Sequence, residues 1–265
     1  MPLFHLVLLA IVQGVTEFLP ISSSGHLILV PQVTGWTDQG LAIDAAVHVG
    51  TLGAVVIYFW RDVWRMTCGA GALATGRMTE GARLALYIVL ATIPVVIAGL
   101  LFKDFVETSL RSAEVIAWAT IVFGIVLWLS DRYGDRERRL AALTLPHALV
   151  VGIAQAIALI PGTSRSGITM AAARMLGYER TDAARFSMLM SIPTIVAAGA
   201  LVGRDIVAAG EVALGTDAAV AAGLSFVAAL VTIALLMRWL TFATFTPFVI
   251  YRLLLGIGLL VWIYA

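Results

Sequence analysis

Charged residues are scarce in this sequence: Asp, Glu, Lys and Arg make up 12% of its 265 residues, about half the share of a typical soluble domain. Hydrophobic residues make up 61%. This composition excludes an ordinary soluble domain and predicts an integral membrane protein. The formal net charge of +1 gives no indication of nucleic-acid binding, so we expect membrane lipids and no nucleic acid as partners.

Cysteine is almost absent, and the N-terminus lacks a basic start. Cys68, the single cysteine, has no partner for an intramolecular disulfide and is interpreted as a small apolar residue. The first apolar run reaches Gln13 and Glu17 without a small-residue cleavage site. We therefore expect the first segment to belong to the fold.

Apolar stretches dominate what is present, and a membrane span needs roughly 20 such residues. Six stretches reach that length: about 41–60, 84–102, 113–129, 183–202, 218–240 and 245–264. Two more, about 3–33 and 146–176, are interrupted by Pro, Ser and Gly. Neither half of these two can cross alone, so each is predicted to enter partway, turn and leave on the same side.

A hairpin followed by three spans therefore occurs twice. Because three is an odd number of crossings, the second half is predicted to have the opposite orientation in the membrane. We predict an all-α integral membrane fold of about ten helical segments, with an inverted-topology repeat whose halves each contain a re-entrant helical hairpin plus three transmembrane helices. The prediction is one membrane domain, 1–265, with repeats at about 1–130 and 146–265 and a charged cytoplasmic linker at 131–145. Both hairpin loops would meet near the midplane.

Arginine is distributed unequally between the two faces of this arrangement. One face collects Arg61, Arg65, Arg77, Arg83, Arg132, Arg136, Arg138, Arg139, Arg174, Arg180, Arg185 and Arg238, and the other only Lys103, Arg111 and Arg204. The Arg-rich face is predicted to be cytoplasmic, which places both termini outside. Arg252 is expected to extend its aliphatic side chain so that its guanidinium reaches the cytoplasmic lipid headgroups.

The first interrupted segment carries the motif Gln13-Gly-Val-Thr-Glu17-Phe-Leu-Pro-Ile-Ser22-Ser-Ser-Gly-His26. Ser22, Ser23 and Ser24 supply hydroxyl groups, and Gly25 permits close approach to the backbone. The helix that begins near Gly25 would point its free amides and positive dipole end at the loop. A carboxylate and an imidazole in such apolar surroundings indicate function.

The second interrupted segment repeats the pattern with Thr163, Ser164, Ser166 and Gly167, and adds the guanidinium of Arg165. Two helix N-termini and an arginine are typical of a receptor for a multiply charged anion. Glu17 would repel that anion unless it holds a hard divalent cation or orients His26.

Structural interpretations stand beside this one. A Ser/Gly cluster in a membrane helix is often a packing surface, and a Glu17–Arg165 pair could be only a salt bridge. Gln13 shares a helical face with Glu17 and would hydrogen-bond to it. His48 and Asp44 share a face near the end of a span, where a boundary pair and a functional pair are equally consistent with the pattern. The coincidence of two unusual loops of opposite charge favours a functional site.

The two motifs resemble the signatures of the undecaprenyl-diphosphate phosphatase family, the bacitracin-resistance type. Supporting stretches are 44–51, 186–193 and 246–252. The resemblance implies removal of the terminal phosphate of undecaprenyl diphosphate at the outer face of the bacterial cytoplasmic membrane, which recycles the lipid carrier for cell-wall synthesis. It also implies dependence on a divalent cation, Mg²⁺ or Ca²⁺.

Roles follow from the resemblance residue by residue. Glu17 and Gln13 match the carboxylate and its partner position and are the candidate metal ligands. His48 stands where other members of the family can have Gln, which argues against an essential role. The candidate catalytic residues are Glu17, His26, Ser23, Ser24 and Arg165, and the candidate substrate-binding residues are Gln13, Ser22, Gly25, Thr163, Ser164, Ser166 and Gly167.

The nucleophile stays open at this point between His26, a serine hydroxyl and a metal-bound water, with a preference for Ser23 or Ser24 acting with His26. A secondary transporter or a lipid-phosphate flippase would use the same anion site without cleaving a bond. The sequence also leaves open whether the protein forms a homodimer.

Overall fold

The computed structural model describes residues 2–37, 40–135, 137–208 and 215–265. Within these ranges the chain forms eleven α-helices and one short 3-10 helix, Leu140–Ala142, and no β-strand. The α-helices are α1 Leu3–Thr16, α2 Ser23–Thr34, α3 Gly40–Tyr58, α4 Trp60–Ala74, α5 Glu80–Ser109, α6 Ala113–Tyr133, α7 Leu145–Ile157, α8 Arg165–Met175, α9 Arg180–Ala208, α10 Thr216–Trp239 and α11 Thr246–Tyr264.

Six of these helices, α3, α5, α6, α9, α10 and α11, are long and apolar enough to cross a membrane. They coincide with the six predicted spans, so the prediction of an all-helical, multi-pass membrane protein is confirmed. Helices α1 and α7 are apolar but have only 14 and 13 residues. At 1.5 Å per residue each covers about 20 Å, less than the bilayer core of about 30 Å.

Helix α4 was not predicted, and it brings the number of described α-helices to eleven. Its apolar and charged residues separate onto two faces, with Trp60 and Trp64 exposed and Asp62 buried. Asp62 accepts a hydrogen bond from Arg185 Nε of α9 at 2.9 Å. The arginines after residue 60 indicated only the end of a span, because a search for long apolar runs does not register a short amphipathic helix.

Close backbone contacts hold the short helices against the spans. Helix α1 packs on α10, and α7 packs on α5. A Cβ atom added to Gly14 would lie 2.6 Å from Ala228 Cβ, and one added to Gly152 would lie 2.3 Å from the Ala91 oxygen. Small residues at these two positions therefore let the helices touch, which is how helices associate where lipid removes the hydrophobic driving force.

The connection between α6 and α7 is attached to the turn before α9. Arg174 is fully buried and donates through Nε to Asp131 at 3.2 Å, and Arg180 Nε donates to the same carboxylate oxygen at 2.6 Å. The Arg138 amide donates to the Gly177 oxygen at 3.0 Å. These contacts hold the charged segment predicted as a linker against the end of α8.

Candidate functional site

Two serines begin the helices that follow the interrupted segments. Ser22 has φ 75° and Ser164 has φ 73°, and they are the only non-glycine residues with positive φ in the described part of the chain. Each hydroxyl oxygen caps its helix by accepting an amide hydrogen bond, from Gly25 at 3.3 Å and from Gly167 at 3.1 Å. Backbone strain of this kind, on the order of 1–3 kcal/mol per residue, concentrates at functional sites.

The segment between α1 and α2, called the first or acidic loop, meets the segment between α7 and α8, called the second or basic loop. Arg165 Nη2 donates to Glu17 Oε1 at 2.7 Å, and Arg165 Nη1 donates to the Ser187 oxygen at 3.2 Å. The Glu17 and Arg165 side chains are only 7% and 14% exposed. Ser166 Oγ adds a second link by donating to the Leu19 oxygen at 2.8 Å. The structure thus brings together the two charged residues singled out by the sequence.

The other oxygen of the Glu17 carboxylate is a hydrogen-bond acceptor for the first half of the chain. Oε2 accepts from Gln13 Nε2 at 2.9 Å and from Ser23 Oγ at 2.7 Å. His48 Nε2 lies 3.8 Å from the same oxygen. Ser24 is exposed, and its Oγ lies 3.4 Å from Ser22 Oγ. Ser23 is therefore the serine with a carboxylate placed to take its proton.

These groups border a cavity of about 370 Å³. Its polar lining consists of Glu17, Ser22, Ser23, Ser24, Asp44, His48, Ser164, Arg165 and Thr194. Its apolar lining consists of Leu41, Ala45, Val95, Ala158, Leu159, Ile195, Ala198, Gly199 and Val202. A cavity lined by both charged and apolar residues suits a ligand with a charged head and an apolar chain.

His26 lies outside this lining. Its Nδ1 is 2.6 Å from the Ser22 oxygen, and its Nε2 is 2.6 Å from the Tyr251 hydroxyl. A carbonyl oxygen can only accept, so Nδ1 donates to it and Nε2 of the neutral ring accepts from Tyr251. Both ring nitrogens are thus occupied, and the expected partnership of His26 with Ser23 or Ser24 is not present. His26 instead contacts the strained serine at the end of the first loop.

The remaining predicted residues are not part of the cavity lining. Gln13 is fully buried beneath Glu17, and a Cβ atom on Gly25 would lie 3.6 Å from Gly162 Cα of the other loop. Ser166 Oγ lies 3.1 Å from Ser164 Oγ. The Thr163 hydroxyl is buried and has no hydrogen-bond partner among the described residues.

The expectation that Arg252 reaches the headgroups is wrong. Arg252 has no exposed surface, and its guanidinium donates to main-chain oxygens of both loops, Pro20 at 3.1 Å, Gly162 at 3.0 Å and Thr163 at 3.0 Å. Irregular loops leave carbonyl groups that a helix would have paired, and a buried guanidinium satisfies several of them. The available signal was a charged residue inside an apolar span, which by itself favours a functional position.

Three lining residues of the spans were missed or left undecided. Asp44 and His48 are one helical turn apart and both line the cavity. His48 Nδ1 lies 2.7 Å from the main-chain oxygen of Asp44, to which it donates. Their spacing was noted but was equally consistent with a pair at the membrane boundary. Thr194 gave no signal, because its hydroxyl bonds to the Met190 oxygen one turn earlier, as in many apolar helices.

The residues around the Glu17 carboxylate could hold a divalent cation, but they offer it only a few protein ligands. Gln13 Oε1 is buried and without a hydrogen-bond partner in the described structure, since its amide nitrogen is directed at Glu17. No cluster of three or more His, Cys, Asp or Glu is found among the described residues. Mg²⁺ is commonly held by one or two carboxylates together with water and substrate phosphates. Glu17 and Gln13 fit that kind of site and not an all-protein cage.

Comparison with known proteins identifies the family of this chain. The family described as "Bacitracin resistance protein BacA" matches residues 6–258. The chain is 54% identical to the undecaprenyl-diphosphatase of Roseobacter denitrificans and 55% identical to that of Jannaschia sp., with both chains fully covered in each case. It is 52% identical to the undecaprenyl-diphosphatase of Alcanivorax borkumensis over 98% of both chains. With a match over nearly the whole sequence, this chain belongs to the bacitracin resistance protein BacA family.

Proposed function

We propose that this protein hydrolyses undecaprenyl diphosphate to undecaprenyl phosphate and inorganic phosphate. The observation that carries the proposal is that Ser23, Glu17 and Arg165 all line the cavity and are joined by two hydrogen bonds of 2.7 Å. A hydroxyl, a base and a fixed cation are what phosphoryl transfer to a serine requires. The full-length relatives named undecaprenyl-diphosphatase support the same reaction.

Binding of the diphosphate follows from the charges at the loops. Arg165 presents a planar fork that matches phosphate oxygens, and the first amides of α2 and α8 lack intrahelical partners. The phosphate would share Arg165 with Glu17, which holds the guanidinium in place beforehand. The polyprenyl chain would follow the apolar lining, past Val95 and the small residues Ala198 and Gly199 of α9.

The chemical step begins at Ser23. Its Oγ attacks the terminal phosphorus while Glu17 Oε2 accepts the hydroxyl proton, and the bond from that phosphorus to the bridging oxygen breaks. Undecaprenyl phosphate leaves and takes up the proton. A water then attacks the phosphoserine, the bond to Ser23 Oγ breaks, and Ser23 regains a proton. The sum is consumption of one water for each phosphate released.

We further propose that Glu17 and Gln13 Oε1 would hold a divalent cation, Mg²⁺ or Ca²⁺. A bound cation would neutralise charge on the transferring phosphate. Gln13 contributes no charge, so the affinity of the free protein for a cation is expected to be low until the substrate supplies phosphate oxygens.

We also propose the arrangement of the chain in the bacterial cytoplasmic membrane. It is one domain of two inverted repeats, about 1–130 and 146–265, each a re-entrant hairpin and three spans. The matched caps at Ser22 and Ser164 and the matched packing of α1 on α10 and α7 on α5 support it. The arginine distribution supports cytoplasmic placement of the linker, with both termini and the opening of the cavity on the periplasmic side.

Phosphate release from a long-chain polyprenyl diphosphate by purified protein tests the function. Ser23→Ala is expected to lower kcat by more than about 10³-fold, as loss of a nucleophile does, while the neighbouring Ser24→Ala serves as the matched control and keeps most activity. Rapid acid quenching should trap phosphoserine at Ser23 in the wild type. Normal turnover by Ser23→Ala, or no release by folded wild-type protein, would reject the proposal.

A further inference from the structure

A single guanidinium that is not part of the cavity lining joins the two loops. Arg252, on α11, donates to five main-chain oxygens in three segments: Pro20 in the first loop, Ala119 and Thr120 in α6, and Gly162 and Thr163 in the second loop. The donor–acceptor distances run from 3.0 to 3.4 Å. Arg252 is not part of the cavity lining.

Arg252 differs from the other fully buried arginine in having no acidic partner. Arg174 has an acidic partner in the Asp131 carboxylate, which it shares with Arg180. Among the described residues no ion pair is found for Arg252, and all its acceptors are neutral carbonyl groups. A buried charge without a counter-charge is costly and is retained where it serves a purpose. The charge of Arg252 lies against the main chain of both loops of the proposed anion site.

The hydrogen bonds of Arg252 also determine which way the loop peptides face. The described chain contains no cis peptide bond, and in a trans peptide the carbonyl and the following amide point in opposite directions. Because the Thr163 oxygen points at Arg252, the Ser164 amide points away from that guanidinium, and Ser164 itself lines the cavity. That amide adjoins the free amides at the start of α8.

We propose that Arg252 is a positioning residue for diphosphate binding and turnover: it holds both loops in register and turns the Thr163–Ser164 peptide so that its amide serves the phosphate. The inference deepens the proposed function and rests on it for the identity of the anion. Its contribution is geometric and electrostatic, with no proton transferred. A role confined to folding would instead resemble that of Arg174.

The test compares Arg252→Lys with the matched control Arg174→Lys. Lysine keeps the charge but can serve only part of the carbonyl set, since a guanidinium has five donors in a fixed fork. Gly124→Ala provides a milder change, because its added Cβ would lie 3.2 Å from Arg252 Cβ and displace that side chain without removing it. The readouts are kcat and KM for a polyprenyl diphosphate per folded molecule, thermal unfolding, and thermal protection by inorganic pyrophosphate.

Arg252→Lys is expected to lower kcat by about 10- to 100-fold, the scale of a displacement of about 1 Å at a reacting centre, and to weaken pyrophosphate binding about tenfold. Gly124→Ala should change both in the same direction by a smaller factor. Arg174→Lys should lower thermal stability and leave kcat and KM per folded molecule unchanged.

The proposal is overturned if Arg252→Lys and Gly124→Ala keep wild-type kcat and pyrophosphate affinity, or if their losses follow only the folded fraction, as for Arg174→Lys. If Arg252→Lys does not fold, Gly124→Ala decides by the same criteria. The pyrophosphate measurement separates this proposal from the proposed function. A wild type that binds pyrophosphate through Arg252 but releases no phosphate would retain the first and reject the second.

Discussion

The loop that ends at Ser22 and the loop that ends at Ser164 can be compared residue by residue. When these two serines are aligned, Gln13 corresponds to Gln155, and both glutamines are fully buried. The capping hydrogen bonds and the unusual backbone angles are the same in both loops. The backbone frame of the site is thus present twice.

The reactive positions differ between the same two loops. Glu17 corresponds to Leu159, and Ser23 corresponds to Arg165. One loop therefore supplies the carboxylate and the hydroxyl, and the other supplies the guanidinium. Two copies of the acidic loop would place like charges together, and two copies of the basic loop would lack a base. In the proposed mechanism the duplicated frame provides two helix ends for an anion, and the difference between the two loops provides the chemistry.

The largest effect is expected from Glu17→Gln, because this variant removes the charge that distinguishes the first loop from the second at this position. The change removes the acceptor for the Ser23 proton and keeps the size of the side chain. We expect kcat for phosphate release to fall by about 10³-fold, within the range for general-base removal. Binding of inorganic pyrophosphate should persist, since a negative charge is lost. Phosphate release within tenfold of the wild type would rule out Glu17 as the base.

Alanine substitutions at the two corresponding glutamines, Gln13 and Gln155, test the difference between the loops and are expected to have an intermediate effect on kcat. Gln13 donates to Glu17 at 2.9 Å, whereas Gln155 Oε1 accepts from the Thr194 hydroxyl at 3.3 Å. A hydrogen bond to a charged group contributes about 1.5–3 kcal/mol, so Gln13→Ala should lower kcat about tenfold or more.

Gln155→Ala is the matched control, because it removes an equally buried amide from the corresponding helix. Its kcat should stay within about twofold of the wild type, since the hydrogen bond that is lost is neutral and involves none of Glu17, Ser23 and Arg165. Thermal unfolding of the two variants should shift by similar amounts. Equal kcat losses in both would mean that the glutamines have only a structural role.

The smallest effect is expected for substitutions at the capping serines, Ser22 and Ser164, where the two loops have the same structure. Ser164→Ala and Ser22→Ala should each lower the free energy of unfolding by about 1 kcal/mol, the usual loss for a helix N-cap. Ser164→Gly should cost less, because glycine tolerates the positive φ. Thermal unfolding in detergent measures these differences. A larger loss for glycine than for alanine would contradict the assignment of strain to this backbone position.

The six spans and the two interrupted segments could be predicted because hydropathy depends on neighbouring residues only. Pairing of Glu17 with Arg165 was expected from the twofold order of segments, and the two side chains lie 148 positions apart in sequence. Helix α4 could not be identified by length and hydropathy alone. The contacts of His26 were not predictable either, because its partner Tyr251 is 225 positions away.

The sequence by itself determined that this is a membrane protein of six apolar spans with two polar interruptions, since such runs can satisfy their backbone groups only as helices in lipid. Only the tertiary structure decided that Ser23 and not Ser24 reaches Glu17, that His26 faces Tyr251, and that Arg252 lies buried behind both loops. The physical reason is that each of these contacts depends on how loops and helices pack in three dimensions. Spacing along one segment carries no information about that packing.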